Sequence, residues 1–160
     1  MTKILNLRDK PELLETLARW HQAEWSHLNP GETLEQRIIR MQPLLNDKLI
    51  PSTFIAFDNI LYGSAAIVES DLDNRPELSP WLASVFVKPE HRNKGIGSAL
   101  VHYVMQQAKL SNIEKLYLYT SDREAFYHRL GWKPIATEHY HGHEVVIMVV
   151  DLTAWKPAIN

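Results

Sequence analysis

The period of hydrophobic and polar positions changes several times along the chain, and each change marks an element. Residues 3–7 alternate apolar and polar, which predicts a short strand. Leu13, Leu14, Leu17, Trp20 and Trp25 recur at helical spacing and predict a helix over 10–28, broken by Asn29-Pro30-Gly31. Thr33 followed by Gln36 has the form of a capping box, and Leu34, Ile38 and Met41 carry the helix on until Pro43. Phe54 to Phe57 predict a strand, Asp58-Asn59 a turn, and Ile60 to Glu69 the returning strand of a hairpin. Residues 70–80 are polar with two prolines and predict a loop.

Trp81 to Val87 places apolar residues on both faces, the pattern of a central strand covered on both sides. Ile96, Leu100, Val104 and Ala108 then recur every fourth residue, which predicts a helix over 95–110. A strand follows at 115–120. Ser121 to Glu124 has the form of a second capping box opening a short helix, with Gly131 at its C′ position. Strands at about 135–140 and 144–152 meet at His141-Gly142-His143. The resulting order is β-α-α-β-β-β-α-β-α-β-β. Hairpins combined with one β-α-β unit predict a mixed sheet in an α/β (α+β) fold.

Composition narrows the function. With 160 residues, 45% hydrophobic and 22% charged, the chain suits a single domain over 1–160. The cysteine count is 0, so thiolate metal sites and cysteine nucleophiles are absent, and a reducing compartment is compatible. A net charge of -2 without a long basic run argues against nucleic acid as a partner. The first residues lack an apolar signal segment and no stretch has transmembrane length, so a cytoplasmic protein without membrane contact is expected.

The strongest local signal is Val87-Lys88-Pro89-Glu90-His91-Arg92-Asn93-Lys94-Gly95-Ile96-Gly97-Ser98. A buried strand runs into a glycine-containing loop that opens a helix. The first N–H groups of a helix have no partner within it and carry partial positive charge, so an anion can rest on them. Glycines let that anion approach the backbone, and Arg92 and Lys94 add formal charge. The segment fails the dinucleotide fingerprint at its third glycine position and contains no Walker A loop. What remains is Arg-x-x-Gly-x-Gly at Arg92, Gly95 and Gly97.

With Phe126-Tyr127-His128-Arg129-Leu130-Gly131-Trp132 downstream, this region resembles the GNAT acetyltransferase superfamily. The resemblance is close over 81–132 and rests on element order elsewhere. Trp132 stands where the family's Tyr-x-x-x-Gly-Phe pattern has phenylalanine. The resemblance implies about seven strands and four helices, with the sheet splayed in a V between the fourth and fifth strands. It implies acetyl-CoA as cosubstrate, without a metal. Its pyrophosphate would lie on Asn93, Lys94, Gly95, Ile96, Gly97 and Ser98 beside Arg92, and its pantetheine arm along Val85, Phe86 and Val87. It further implies that the Tyr127 hydroxyl protonates the departing thiolate. A phenol of pKa near 10 is protonated at neutral pH and a thiol has a pKa of about 8.5, so that transfer is chemically sound.

A primary amine must lose a proton to attack a thioester. Some family members use a carboxylate on the fourth strand. This chain has none from Trp81 to Val87, where Ser84 is the only polar side chain. Ser84 and Glu69 are therefore the catalytic candidates beside Tyr127, with Asp71 as a second substitute base. Glu69, Asp71, Asp73 and Glu77 form an acidic acceptor side suited to a small cationic amine. Glu24, Trp25, Asp71 and Trp81 are candidate acceptor-binding residues, with His27 beside them. His139, His141 and His143 alternate next to Glu144, but Gly142 among them favours a polar turn over a metal site. Acetylation of a protein or peptide amine and a non-catalytic acyl-CoA sensor are the alternatives. A homodimer is compatible, since dimers are common in the family.

Overall fold

The computed structural model describes residues 2–157. Among the described residues there are seven strands: β1 (Lys3–Asn6), β2 (Ser52–Asp58), β3 (Ile60–Val68), β4 (Trp81–Val87), β5 (Lys115–Thr120), β6 (Lys133–Tyr140) and β7 (His143–Asp151). The four α-helices are α1 (Leu14–Trp25), α2 (Leu34–Met41), α3 (Ile96–Leu110) and α4 (Glu124–Arg129). All strands join one mixed sheet of order β1-β2-β3-β4-β5-β7-β6, and β4–β5 is its parallel pair. Element order and sheet type agree with the pattern read from the sequence.

Two local readings require correction. The predicted helix 10–28 is α1 flanked by separate 3-10 turns at Pro11–Leu13 and Ser26–Leu28. Lys10 and Trp25 leave helical geometry at either end (φ -138° and -122°), so the period continues while the hydrogen-bond ladder does not. The second predicted capping box does not form. Helix α4 begins only at Glu124, with Arg123 as N-cap and no side-chain cap, and Thr120 Oγ1 accepts the Arg123 N–H instead (3.0 Å). The first box is real: Gln36 N–H donates to Thr33 Oγ1 at 3.1 Å and Thr33 N–H donates to Gln36 Oε1 at 2.8 Å.

The sheet divides the core. Helix α3 buries Leu100, Val101, Val104 and Met105 against Leu82, Leu116 and Leu118 on one face. On the other, α1 and α2 cover Ile55 and Leu61 with Leu14, Leu17 and Met41. A third cluster of Leu72, Trp81, Val145 and Ile147 lies beside the β4–β5 boundary. Burial of β4 from both sides fits its apolar pattern. Pro134 is tolerated within β6 because that strand ends the sheet, next to a bulge between Pro134 and Ala136. His141 and Gly142 both adopt positive φ (48° and 80°) and form the two-residue turn that pairs Tyr140 with His143.

Candidate active site

Strands β4 and β5 share one register pair, Trp81 with Tyr117, supported by the Tyr117 N–H donating to the Pro80 carbonyl at 3.0 Å. From there toward Val87 the strands separate. The β5 side of β4 is left unpaired over its C-terminal half, which gives an extended ligand a free backbone edge.

The same half of β4 is irregular. Ser64 pairs with Phe86 and Ala66 with Ala83, so Ser84 and Val85 together face one residue of β3. Ser84 adopts φ 53°, an uncommon conformation for a residue with a Cβ. A polar relay holds it there. Ser64 Oγ donates to the Ser84 carbonyl (3.1 Å) and lies 3.0 Å from His21 Nε2. The serine has one hydroxyl proton, already committed to Ser84, so His21 donates through Nε2–H. His21 is buried on α1, and burial, reinforced by the charges of Arg37 and Arg40, lowers its pKa to about 3. It is therefore neutral near pH 7, with its one ring proton on Nε2.

Beyond Val87 the chain enters the glycine loop. Asn93 (φ 65°) and Gly95 (φ 83°) are left-handed, and Gly95 caps α3 without any side-chain hydrogen bond. The first helical backbone bond runs from the Ala99 N–H to the Gly95 carbonyl (3.0 Å), so the preceding amides at the helix start are free for a ligand. A Cβ on Gly95 would meet nothing within 4 Å, so the space above the turn is open. Gly97 is small for another reason, since a Cβ there would lie 3.5 Å from Phe126 Cζ and 3.6 Å from Val87 Cγ2. Helix α4 is thereby packed against the start of α3. These free amides and the open turn fit a pyrophosphate.

Arg92 is partly committed elsewhere. Its Nε donates to the Val87 carbonyl (2.7 Å), its Nη2 lies 3.2 Å from Glu24 Oε2, and its guanidinium sits 5.6 Å from the Phe86 ring centroid. It ties the end of α1 to the end of β4. Trp25 joins that tie, 4.9 Å from His21 and 5.9 Å from Phe86, centroid to centroid.

Tyr127 follows Phe126 on α4 and is 8% exposed. Its hydroxyl has no hydrogen-bond partner among the described residues, and burial pushes its pKa well above the ordinary phenol value. It is a protonated donor with a free O–H.

Acidic residues lie toward the other side of the V. Glu69 is exposed at the end of β3. Asp71 is half-buried; burial pushes its pKa up to about 7, Arg40 pulls the other way, and the charge of Asp73 adds to the rise. The electrostatic neighbours of Asp71 include Tyr119 and Tyr140, whose rings are 5.4 Å apart, and Trp81 lies 6.4 Å from Tyr119. Among the described residues, no group of three or more His, Asp or Glu side chains is arranged to hold a metal.

The GNAT acetyltransferase domain family matches residues 51–134, a span that holds the hairpin, the bulged strand, the glycine loop and Tyr127. The chain belongs to the GNAT acetyltransferase family. Its activity is acetyl transfer, with acetyl-CoA as donor. No curated protein sequence matches it. Solved structures share its fold at low identity. An aminoglycoside 6'-N-acetyltransferase complexed with coenzyme A is 17% identical with a TM-score of 0.76, covering 98% of this chain and 99% of that one. Aminoglycoside 6'-acetyltransferase type Ii is 18% identical at a TM-score of 0.73, again covering 98% and 99%. An N-acetyltransferase from Staphylococcus aureus Mu50 is 17% identical at 0.70, covering 95% and 99%.

Sequence reasoning about this GNAT protein missed His21, Ser64, Arg37, Arg40, Tyr119 and Tyr140. A signal existed for two of them. His21 lies four residues after Leu17, and Arg37 lies between Leu34 and Met41 at i+3 and i−4, so both fall on buried helix faces. No element of the chain pattern places Tyr119 or Tyr140 beside Asp71, because that meeting depends on sheet order.

Proposed function

We propose that this protein acetylates a primary amine of a small molecule by direct transfer, with the whole chain acting as one catalytic domain. The observation that supports the reading is a strand pair splayed beyond Trp81 and Tyr117, with the Tyr127 phenol in the core cluster on the α3 face and Asp71 next to Leu72 of the third cluster. Asp71 has a pKa of about 7 and Tyr127 stays protonated.

In this mechanism the free amides from Asn93 to Ser98 hold the pyrophosphate, and the open edge of Val85 to Val87 aligns the arm. The bulge at Ser84 aims a backbone N–H at the thioester carbonyl, which stabilises the charge that develops on its oxygen. Asp71 accepts a proton from the ammonium. The amine nitrogen then bonds to the carbonyl carbon as the C–S bond breaks, and Tyr127 gives its proton to the departing sulfur. The surplus proton on the new amide nitrogen leaves to solvent, and the phenolate regains a proton from solvent. A base of pKa near 7 is half ionised at neutral pH, where general-base catalysis works best. Glu69, exposed just beyond β3, contributes negative charge that attracts the cation. Trp81, expected from the sequence to bind the acceptor, is fully buried with its Nε1–H donated to the Leu78 carbonyl, so it supports the strand joint from behind. Glu24 with Trp25 shapes the acceptor side through Arg92 and Phe86. The cytoplasmic setting and a homodimer belong to the same reading.

The test is thiol release from acetyl-CoA in the presence of polyamines, aminoglycosides, amino acids and short peptides. Release that depends on a small amine supports the reading, and release only with peptides replaces it with the protein-directed alternative. Absence of release with every amine, together with no rise in Tm on adding acetyl-CoA, overturns it.

A further inference from the structure

Under α2, against the sheet, lies a cavity of about 130 Å³ lined by His21, Arg37, Arg40, Thr53 and Ser84 among others. It reaches the bulge residue of β4 and so borders the reaction centre proposed above.

Two buried polar atoms of its lining residues lack partners. Arg37 is 4% exposed and Thr53 is 1% exposed, yet Arg37 Nη2 and Thr53 Oγ1 have no hydrogen-bond partner. Charge is also unbalanced. Arg37 Nε (3.2 Å) and Arg40 Nε (2.8 Å) share the single carboxylate of Glu32, and the second polar partner of Arg37 is neutral Gln22 (2.8 Å). His21 is neutral and adds no counter-charge. Asp71 acts on Arg40 but forms no ion pair with it within 4 Å among the described residues. Two guanidinium groups thus face one close carboxylate. A buried guanidinium cannot shed its proton, and a buried N–H or O–H left unpaired costs about 1–3 kcal/mol. Both deficits are met by one singly charged planar acceptor.

We propose that the amine acceptor carries a carboxylate, and that this cavity binds it through Arg37 Nη2 and Thr53 Oγ1, with Arg40 at the mouth. The acceptor is then an amino acid or a short amino-carboxylate, its ammonium toward Asp71 and its carboxylate under α2. A volume near 130 Å³ is roughly that of four water molecules, which suits a carboxylate and a few carbons. The inference rests on the amine-acetylating reading and adds the chemistry of the acceptor's other end.

The test compares acceptors in matched pairs on the wild-type enzyme: glycine against glycinamide, β-alanine against β-alaninamide, and each amino acid against its decarboxylated amine. The expected result is a kcat/KM lower by roughly tenfold or more for each partner lacking the carboxylate, with a smaller gap in Arg37→Gln. Arg37 is buried and its variant could fold poorly, so half-exposed Arg40 supplies a second variant, Arg40→Gln, with the same expectation. Equal or better use of the uncharged or decarboxylated partners overturns the proposal while leaving acetyl transfer intact. Preference for a phosphorylated amine also overturns it. A binding measurement separates the two readings. Sodium formate and propionate are expected to raise the Tm of the wild type above sodium chloride at equal ionic strength, and less so for Arg40→Gln. That stabilisation without turnover of any amine keeps the anion site and rejects the amine reading; its absence, with no carboxylate preference in turnover, rejects the site.

Discussion

Trp81 and Tyr117 are the one pair of residues at which β4 and β5 are in register among the described residues. Trp81 is fully buried and its ring lies 6.0 Å from that of Tyr117, so the joint is packed as well as hydrogen-bonded. Fixing two parallel strands at one end, with a bulge in one of them, forces the other end apart. The opening follows from the register and bulge of the sheet. The residues around it give four further expectations.

Tyr127→Phe keeps the aromatic volume in the α3-side core and removes only the O–H. Turnover is expected to fall by about 10²–10⁴-fold, the usual contribution of a positioned proton donor, with acetyl-CoA affinity and Tm close to wild type. Steady-state kinetics paired with calorimetric titration of acetyl-CoA checks both halves. Undiminished turnover would remove Tyr127 from the mechanism.

Asp71 must be ionised to accept a proton, and its pKa is about 7. The kcat/KM profile is therefore expected to rise with pH through about 7, and this limb should vanish in Asp71→Asn along with most activity. The stability effect has the opposite sign. A carboxyl whose folded pKa is raised favours the protonated form, so its contribution is present below pH 3.8 and lost as pH rises through about 7. Asp71→Asn should consequently raise Tm at pH 8, by about 2–4 °C for each kcal/mol recovered. Thermal melts of both proteins at pH 5 and 8 test this.

His21 titrates the other way. Its folded pKa of about 3 lies below the ordinary 6.5, so the unfolded chain binds the proton first as pH falls. Stability is complete above 6.5 and declines progressively toward pH 3. His21→Gln, which keeps a donor for Ser64 Oγ, should melt with a flatter pH dependence below 6.5. Because His21 acts on the bulge through Ser64, His21→Ala should lower kcat more than it raises the KM for acetyl-CoA. Equal effects on both would indicate a merely structural role.

Gly95→Ala adds a Cβ in open space but at φ 83°, where an L side chain costs about 1–2 kcal/mol. A lower Tm and a higher Kd for acetyl-CoA are expected, because the turn presents the free amides of α3. A variant with unchanged acetyl-CoA affinity would move the pyrophosphate elsewhere.

Much of this protein was legible along the chain. Local periodicity gave the element order, because a strand or helix must bury one face whatever it packs on. The glycine loop was readable because its chemistry is local: free amides follow from a helix start, and left-handed turns call for glycine or asparagine. Tyr127 was singled out only by the family resemblance, since by itself it reads as a core aromatic. The errors were also local. The Ser121 box failed because the Arg123 N–H goes to Thr120 Oγ1 and helix α4 starts only at Glu124. Tertiary structure alone decided the rest. Folding withdrew Asp71 from water and so raised its pKa, and desolvation depends on packing that the local sequence does not specify. Helix docking turned Arg37 from one charge among many on an amphipathic helix into a buried guanidinium over an incompletely satisfied cavity. A sequence specifies which groups are present; only the packed fold specifies which of them are left without water or a partner, and that is where the chemistry of this site lies.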